Sequence, residues 1–238
     1  MKKILTCSLF VLMVPAAAHG ETLQNIVSNL GNLDVNLKII LLLTILTLAP
    51  AILITVTAFT RIVIILSLLR NALGTPQTPP NQVVIALSLF LTFFVMQPVF
   101  KQIDEVAIQP YMKKEITDVE AIKRSMQPIK EFMLKNTRKE DLKLFINLSG
   151  KEVKSPDELS MITLIPAFMI SEIKTAFIVV FVIYLPFIVI DMLVASILMS
   201  MGMMMIPPMM LSLPFKLILF VLADGWELLV KAIVGSYR

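Results

Sequence analysis

The feature that most restricts the fold of this chain is a series of apolar runs that carry no charge and are as long as a bilayer is thick. Residues 39–59 contain no charged side chain, and 21 residues of helix extend for about 30 Å. A second run covers residues 83–100, and the sequence after residue 161 is apolar almost to its end. Because 57% of all residues are hydrophobic, an ordinary soluble domain is excluded, and the chain is expected to be all-α and membrane-associated.

Two hydrophobic regions flank one polar region. We predict a first hydrophobic helical hairpin over residues 21–100, a polar amphipathic helical domain over 101–160, and a second hydrophobic hairpin over 161–238. Within residues 101–160, 12 Lys or Arg face 11 Asp or Glu, a near balance that does not indicate a nucleic-acid partner. Apolar residues 119, 122, 126, 129 and 133 recur with helical spacing and predict one buried stripe. A capping box at 137–140 predicts a second helix, with residues 142, 145, 146 and 148 on its buried side.

The N-terminus has the three parts of a secretory signal peptide, which we assign to residues 1–20. Two lysines precede an apolar run over residues 4–14, and small residues follow at 15–20. The alternative is a first span that is not cleaved. Cleavage would remove Cys7 and His19, the chain's single cysteine and single histidine. We therefore expect no metal site, no cofactor and no thiol or histidine catalysis in the mature chain.

The connection between the first two apolar runs is expected to lie in the cytoplasm. Arg61 and Arg70 stand there without a nearby acid, and positive residues favour the cytoplasmic side. The polar domain then faces the periplasm, which agrees with an exported N-terminus. Gly74 is expected to cap the end of the first helix and Asn81 the start of the next, with a kink at Pro50.

Charged side chains interrupt the last apolar region. Each would cost about 2.5 to 3.5 kcal/mol at the centre of a bilayer, so these charges should face one another, water or partner subunits. They are Glu172, Lys174, Asp191, Lys216, Asp224 and Glu227. Asp191 and Lys216 are equally far from residues 203–204, so a hairpin closed there would make them an ion pair, the alternative being a pair between subunits. Glu172, Lys174, Arg61 and Arg70 are assigned to subunit contacts, and Pro166, Pro186 and Pro214 are expected to break the helices.

Residues 199–210 hold seven of the sixteen methionines, and we refer to this segment as the methionine turn. Gly202 and the pair Pro207 and Pro208 prevent one uninterrupted helix, so the segment is expected to be an apolar turn between two helices. Methionine is flexible and polarisable and adapts to irregular surroundings. Composition alone fits either a flexible filler in a membrane hairpin or a deformable seal in a passage.

Short blocks of sequence in one order carry a resemblance to a known family. The chain resembles the FliP family of flagellar type III protein export gate subunits, which are related to the SctR subunits of virulence injectisomes. The most specific matching blocks are residues 59–62, 69–76, 79–82, 132–134, 137–138, 165–168, 171–177, 185–191, 202–205, 207–208, 213–216 and 224–226. One departure is the apolar set Ile178, Val179 and Val180, where the family usually has a polar residue and a glycine.

The resemblance implies a subunit of a protein-conducting channel in the bacterial inner membrane, at the flagellar basal body. The family forms a pentamer and assembles with FliQ, FliR, other export apparatus proteins and rod proteins, and unfolded flagellar proteins pass through the gate. It also implies that Met203, Met204 and Met205, with Met201 beside them, line the constriction. Phe132 and Phe145 match positions in the family's periplasmic domain at which contact with rod components is expected. Independently of the resemblance, Phe132 lies off the apolar stripe of its helix and is expected to be exposed.

Three rival functions differ from a flagellar gate. An injectisome gate would share most of the motifs, although such subunits generally lack a signal peptide. An ion or small-solute transporter would also have broken helices and buried charges. An intramembrane aspartyl protease could use Asp191 and Asp224, but its Gly-x-Gly-Asp motif is absent from the sequence. We therefore expect no enzyme activity.

Overall fold

The computed structural model describes residues 35–150, 158–203 and 207–237. Throughout these ranges the regular structure is helical, which confirms the all-α prediction. The helices are α1 (Val35–Val56), α2 (Phe59–Leu73), α3 (Asn81–Ile103), α4 (Gln109–Met112), α5 (Asp118–Asn136), α6 (Lys139–Ser149), α7 (Met161–Ser200), α8 (Pro208–Leu222) and α9 (Gly225–Gly235). A π-helical turn, Asp104–Ile108, joins α3 to α4. The predicted signal peptide over residues 1–20 and the two methionines Met204 and Met205 lie outside the described residues.

A sharp bend separates α1 from α2. Leu46–Val56 and Phe59–Leu73 meet at an angle of 76°. Two threonine hydroxyls donate to carbonyls that α1 leaves free at its end: Thr57 bonds Leu53 O, and Thr60 bonds Ile54 O at 2.6 Å. Pro50, where a kink was expected, lies inside α1, and the break in the chain comes further on, at residues 57–58.

Within the described part of the chain, two helical stretches are long and apolar enough to cross a membrane, and the bent pair α1 and α2 could form a third span. They are Asn81–Met112 and Met161–Ser200. The second has 40 residues, so it extends for about 60 Å, twice the thickness of a hydrocarbon core. Pro166 and Pro186 lie inside α7 and Pro214 inside α8. The prediction that these prolines break the helices is wrong, and membrane helices are known to tolerate proline where neighbouring groups satisfy the freed carbonyl.

The core of the molecule lies along α2. Its side chains Ile62, Ile65 and Leu69 are buried and pack with α7, which contributes Leu164 and Phe168. Helix α3 lies on another side of α2, and α5 and α6 pack against the N-terminal half of α7. The polar domain is thereby fixed to the same long helix that carries the methionine turn at its other end.

The loop after α2 begins as the sequence predicts. Gly74 has φ +80°, and its N–H donates to Asn71 O at 3.1 Å while Thr75 N–H donates to Arg70 O at 2.9 Å. This pair of bonds is the glycine C-cap that was predicted. Asn81 does not cap α3, because its Oδ1 accepts a hydrogen bond from Arg70 Nη1 at 2.8 Å.

The polar helices confirm the predicted buried faces only in part: residues 142, 145 and 146 of α6 are half-buried as expected, whereas α5 departs from its predicted stripe. In α5 the buried face is rotated toward Phe132, so Met133 is buried while Ile122 and Met126 are exposed. Leu148 of α6, expected to be buried, is 72% exposed. The capping box at residues 137–140 is also wrong, since Thr137 donates its hydroxyl to Met133 O at 2.7 Å and α6 starts at Lys139 without a side-chain cap.

Candidate functional site

The methionine turn is closed by a glycine-based helix end. Helix α7 stops at Ser200, and Gly202 adopts φ +74°. Gly202 N–H donates to Met199 O at 3.1 Å and Met203 N–H to Leu198 O at 3.0 Å, which together form a Schellman motif. Helix α8 restarts with proline at its first position, a position that needs no N–H donor. The expected turn between two helices is therefore present.

The methionines of this turn that the structure describes lie at the surface of the chain. Those that the structure describes are all exposed, from Met203 at 38% to Met210 at 73%. The others are Met199, Met201 and Met209. A row of exposed, flexible apolar side chains at the tip of a hairpin is suited to contact other surfaces rather than to fill its own core.

A polar cluster, which we call the hairpin clamp, joins the two arms of the hairpin below the turn. Lys216 Nζ lies 2.6 Å from Asp191 Oδ2. Ser212 Oγ donates to Asp191 Oδ1 at 2.5 Å, and Lys216 Nζ also donates to Ala72 O of α2 at 3.3 Å. The structure brings the predicted pair together within one chain, as the intramolecular alternative requires. The Lys216 side chain is only 3% exposed, so its charge depends on these partners.

A second polar cluster lies at the bend between α1 and α2. Arg61 forms a two-point ion pair with Glu172, in which Nε donates to Oε2 at 3.1 Å and Nη2 donates to Oε1. Tyr237 OH donates to Glu172 Oε2 at 2.6 Å, and its ring lies 3.8 Å from Arg61 Cζ. Arg61 Nη1 donates to Ser236 O at 3.1 Å. We call these four residues the C-terminal cluster.

Burial of the C-terminal cluster changes the interpretation of two residues. Arg61 and Glu172 were predicted to contact other subunits, but their side chains are 3% and 0% exposed and are satisfied inside the chain. Burial and the adjacent Glu172 carboxylate raise the pKa of the Tyr237 hydroxyl well above its usual value, so it stays protonated and donates. The contacts of Ser236 and Tyr237 were not predicted, because both residues follow the last apolar segment without a recognisable motif.

The other two residues assigned to subunit contacts also have partners inside the chain. Lys174 of α7 pairs with Asp141 of α6, and Arg70 donates to Pro79 O at 2.9 Å. The Lys174 side chain remains 52% exposed and Arg70 is half-buried. A contact of these two residues with another subunit stays a prediction.

The two aromatic residues proposed for docking differ in exposure. Phe132 was expected to be exposed, but it is buried, because its ring stacks on Tyr237 at 5.9 Å and meets the edge of Phe168 at 6.0 Å. It therefore fixes α5 to the C-terminal cluster. Phe145 is half-buried on α6, and a docking contact there stays a prediction.

Comparison with known proteins gives one consistent result. The FliP family profile matches residues 42–233. The flagellar biosynthetic protein FliP of Aquifex aeolicus (strain VF5) is 56% identical over 211 residues, which cover 87% of this chain and 88% of that protein. The protein of the same name from Bacillus subtilis (strain 168) is 53% identical over 207 residues, or 87% of this chain and 94% of that protein. The one from Pectobacterium carotovorum subsp. carotovorum is 51% identical over 203 residues, covering 85% and 79%.

Proposed function

This chain belongs to the FliP family, and on that premise we propose that it is a core subunit of the flagellar protein export gate in the bacterial inner membrane. The relatives reported above are all named as flagellar proteins, which favours the flagellar apparatus over an injectisome. The proposed role is to form a passage for unfolded flagellar proteins, without a catalytic step.

The apolar exterior of the long helices supports assembly with other subunits. In α3, Phe90 is 74% exposed, and in α7 Phe181 and Met192 are 61% and 68% exposed. Charges near the bend and the hairpin are satisfied inside the chain, so the exposed surface of α3 and α7 is largely apolar and requires cover from lipid or protein. Copies of this chain in a pentamer, together with FliQ and FliR, would provide that cover.

The methionine turn supports the proposed gate. Its described methionines are exposed at the end of a hairpin, while the arms are fixed below by the hairpin clamp. This one observation carries the proposal, because a seal needs mobile apolar side chains on a fixed base. Met201, Met203, Met204 and Met205 from several subunits would close on one another and yield to a passing chain.

A transporter is less well supported by the same geometry. A small-solute site in such a protein uses intramembrane charges or free helix ends to bind its ligand. Here Asp191 and Lys216 form an ion pair, and Ser212 donates a hydrogen bond to the second carboxylate oxygen of Asp191. An aspartyl protease would require Asp191 as one of two free carboxylates, and both oxygens of Asp191 are already bonded by these contacts.

The proposed seal is tested by trimming its methionines. Met203, Met204 and Met205 are replaced together by Ala, and ion leak across the inner membrane is measured beside the export of flagellar proteins. The variant should leak ions and still export, because the smaller side chains no longer close the passage. In the control, the exposed methionines Met112, Met126 and Met192 are replaced by Ala and should leave the leak unchanged. A sealed membrane in the first variant, with a normally assembled complex, would refute the gate.

A further inference from the structure

Helix α8, which the structure describes in full, packs on the rest of the chain through three residues of one face. Its three buried residues are Ser212, Lys216 and Phe220, spaced four apart on one face. Two of the three are polar, although the helix itself is strongly apolar. The two nearest the methionine turn are the polar ones, so directional hydrogen bonds rather than apolar packing fix the helix at that end.

The C-terminal part of α7, which is the other arm of the hairpin, buries few side chains. From residue 181 to its end, α7 buries Phe187 and Leu198, while most of the remaining side chains are exposed. Asp191 lies in this stretch with its side chain 31% exposed. Apolar contacts allow sliding by small amounts, whereas the contacts of Asp191 with Ser212 and Lys216 require one register of α7 against α8.

Lys216 connects the hairpin to a third element. Its ammonium group donates to Ala72 O in the last turn of α2, where the helix dipole favours a cation. The end of α2 is also close to α8, since a methyl group placed on Gly74 would lie 3.4 Å from Leu213 Cδ1. The position of α8 is thereby tied to α2 and not to α7 alone.

We propose that Lys216 is a positioning residue for the gate. Its contacts with Asp191 and Ala72, together with the Ser212 hydroxyl that holds Asp191, set the place of α8 in the closed state, and with it Met209 and Met210 at the end of the methionine turn. The inference rests on the proposed function of that turn. Lys216 is eight residues after the first residue of α8, or about 12 Å along the helix. A shift of α8 at Lys216 is therefore carried along the helix to Met209 and Met210 in its first turn.

The test compares two lysines in the assembled complex. Lys216→Met keeps the length and apolar stem of the side chain and removes the charge. Lys231→Met is the matched control, because Lys231 pairs with Glu227 on the surface of α9 with its side chain 70% exposed. Complex mass, thermal stability, ion leak and export are measured for both. Lys216→Met should assemble at the same mass and leak ions severalfold more than Lys231→Met.

Assembly of Lys216→Met with an unchanged leak would overturn the proposal. If this variant does not assemble, Ser212→Ala decides, since it removes only the hydroxyl that bonds Asp191 Oδ1. A raised leak in an intact Ser212→Ala complex supports positioning by the hairpin clamp, and a sealed one overturns it. The methionine variant described above separates the two ideas: if it stays sealed, the gate itself fails, and if it leaks while both clamp variants stay sealed, the positioning role alone fails.

Discussion

Removal of Glu172 should destabilise the chain strongly, and removal of Arg61 with it should restore most of the loss. The two side chains are 0% and 3% exposed, so neither charge is solvated when its partner is absent. Loss of one member of a buried pair costs about 3 to 5 kcal/mol, because the other charge stays buried without compensation. That is a large part of the 5 to 15 kcal/mol by which domains are usually stable.

The contacts that Arg61 keeps in the absence of Glu172 narrow the expected loss in the free energy of unfolding. In Glu172→Met, Arg61 keeps its hydrogen bonds to Ser236 and its position over the ring of Tyr237. These contacts compensate part of the charge, so we expect a loss near the lower end, about 3 kcal/mol. In the double variant with Arg61→Met no charge remains buried, and Tyr237 OH still has Ala58 O as an acceptor at 3.2 Å. The double variant should therefore lie within about 1.5 kcal/mol of the unchanged chain.

The measurement is unfolding by increasing denaturant in detergent micelles. Trp226 is the only tryptophan, and its ring meets the edge of Phe220 at 5.4 Å, so its fluorescence reports loss of packing near α8 and α9. Glu227→Met is the control, because it breaks an exposed pair with Lys231 and should cost less than about 1 kcal/mol. A loss below about 1 kcal/mol in Glu172→Met, or a double variant as unstable as the sum of the two single ones, would show that Arg61 and Glu172 do not stabilise the chain as a coupled buried pair.

Three further perturbations give separate results. Phe132→Ala should cost about 3 to 5 kcal/mol because the ring is buried, and unfolding measured as above would show only a small change if the ring were instead a surface docking contact. Gly225→Ala should destabilise by about 1 to 3 kcal/mol, since a Cβ there would lie 2.3 Å from the ring of Phe220; an unchanged unfolding curve would contradict this close approach. Asp191→Lys and Lys216→Asp should each impair assembly, and their combination should restore part of it, because the two charges pair again within one chain while the bond from position 216 to Ala72 O stays lost; a combination that assembles no better than either single variant in native mass measurements would favour other partners.

Local features of the chain were readable from the sequence. The end of α2 at Gly74 follows from a glycine after an apolar helix, and the methionine turn follows from Gly202 and the two prolines after it. The Asp191 and Lys216 pair could be proposed because both residues lie equally far from the turn. Such predictions succeed where neighbours in sequence are also the neighbours that determine the conformation.

Helix rotation and helix ends were harder to predict. The apolar stripe of α5 includes Ile122 and Met126, yet both are exposed, because the packing of Phe132 against Phe168 and Tyr237 decides which side of the helix turns inward. Asn81 was predicted to cap α3, but its side-chain oxygen accepts a hydrogen bond from Arg70 instead. In each case a contact from another element outweighs the local preference.

A helical membrane protein with a methionine-rich turn follows from the sequence alone, because long apolar runs, glycines and prolines act through the local backbone. Which charges are buried, and with which partners, depends on how the helices pack. Arg61 meets Ser236 across 175 positions of sequence, and α2, α7 and the C-terminus come together only when the helices pack. The periodicity of the sequence does not predict this contact between Arg61 and the C-terminus, since the energy of a buried charge depends on every group around it.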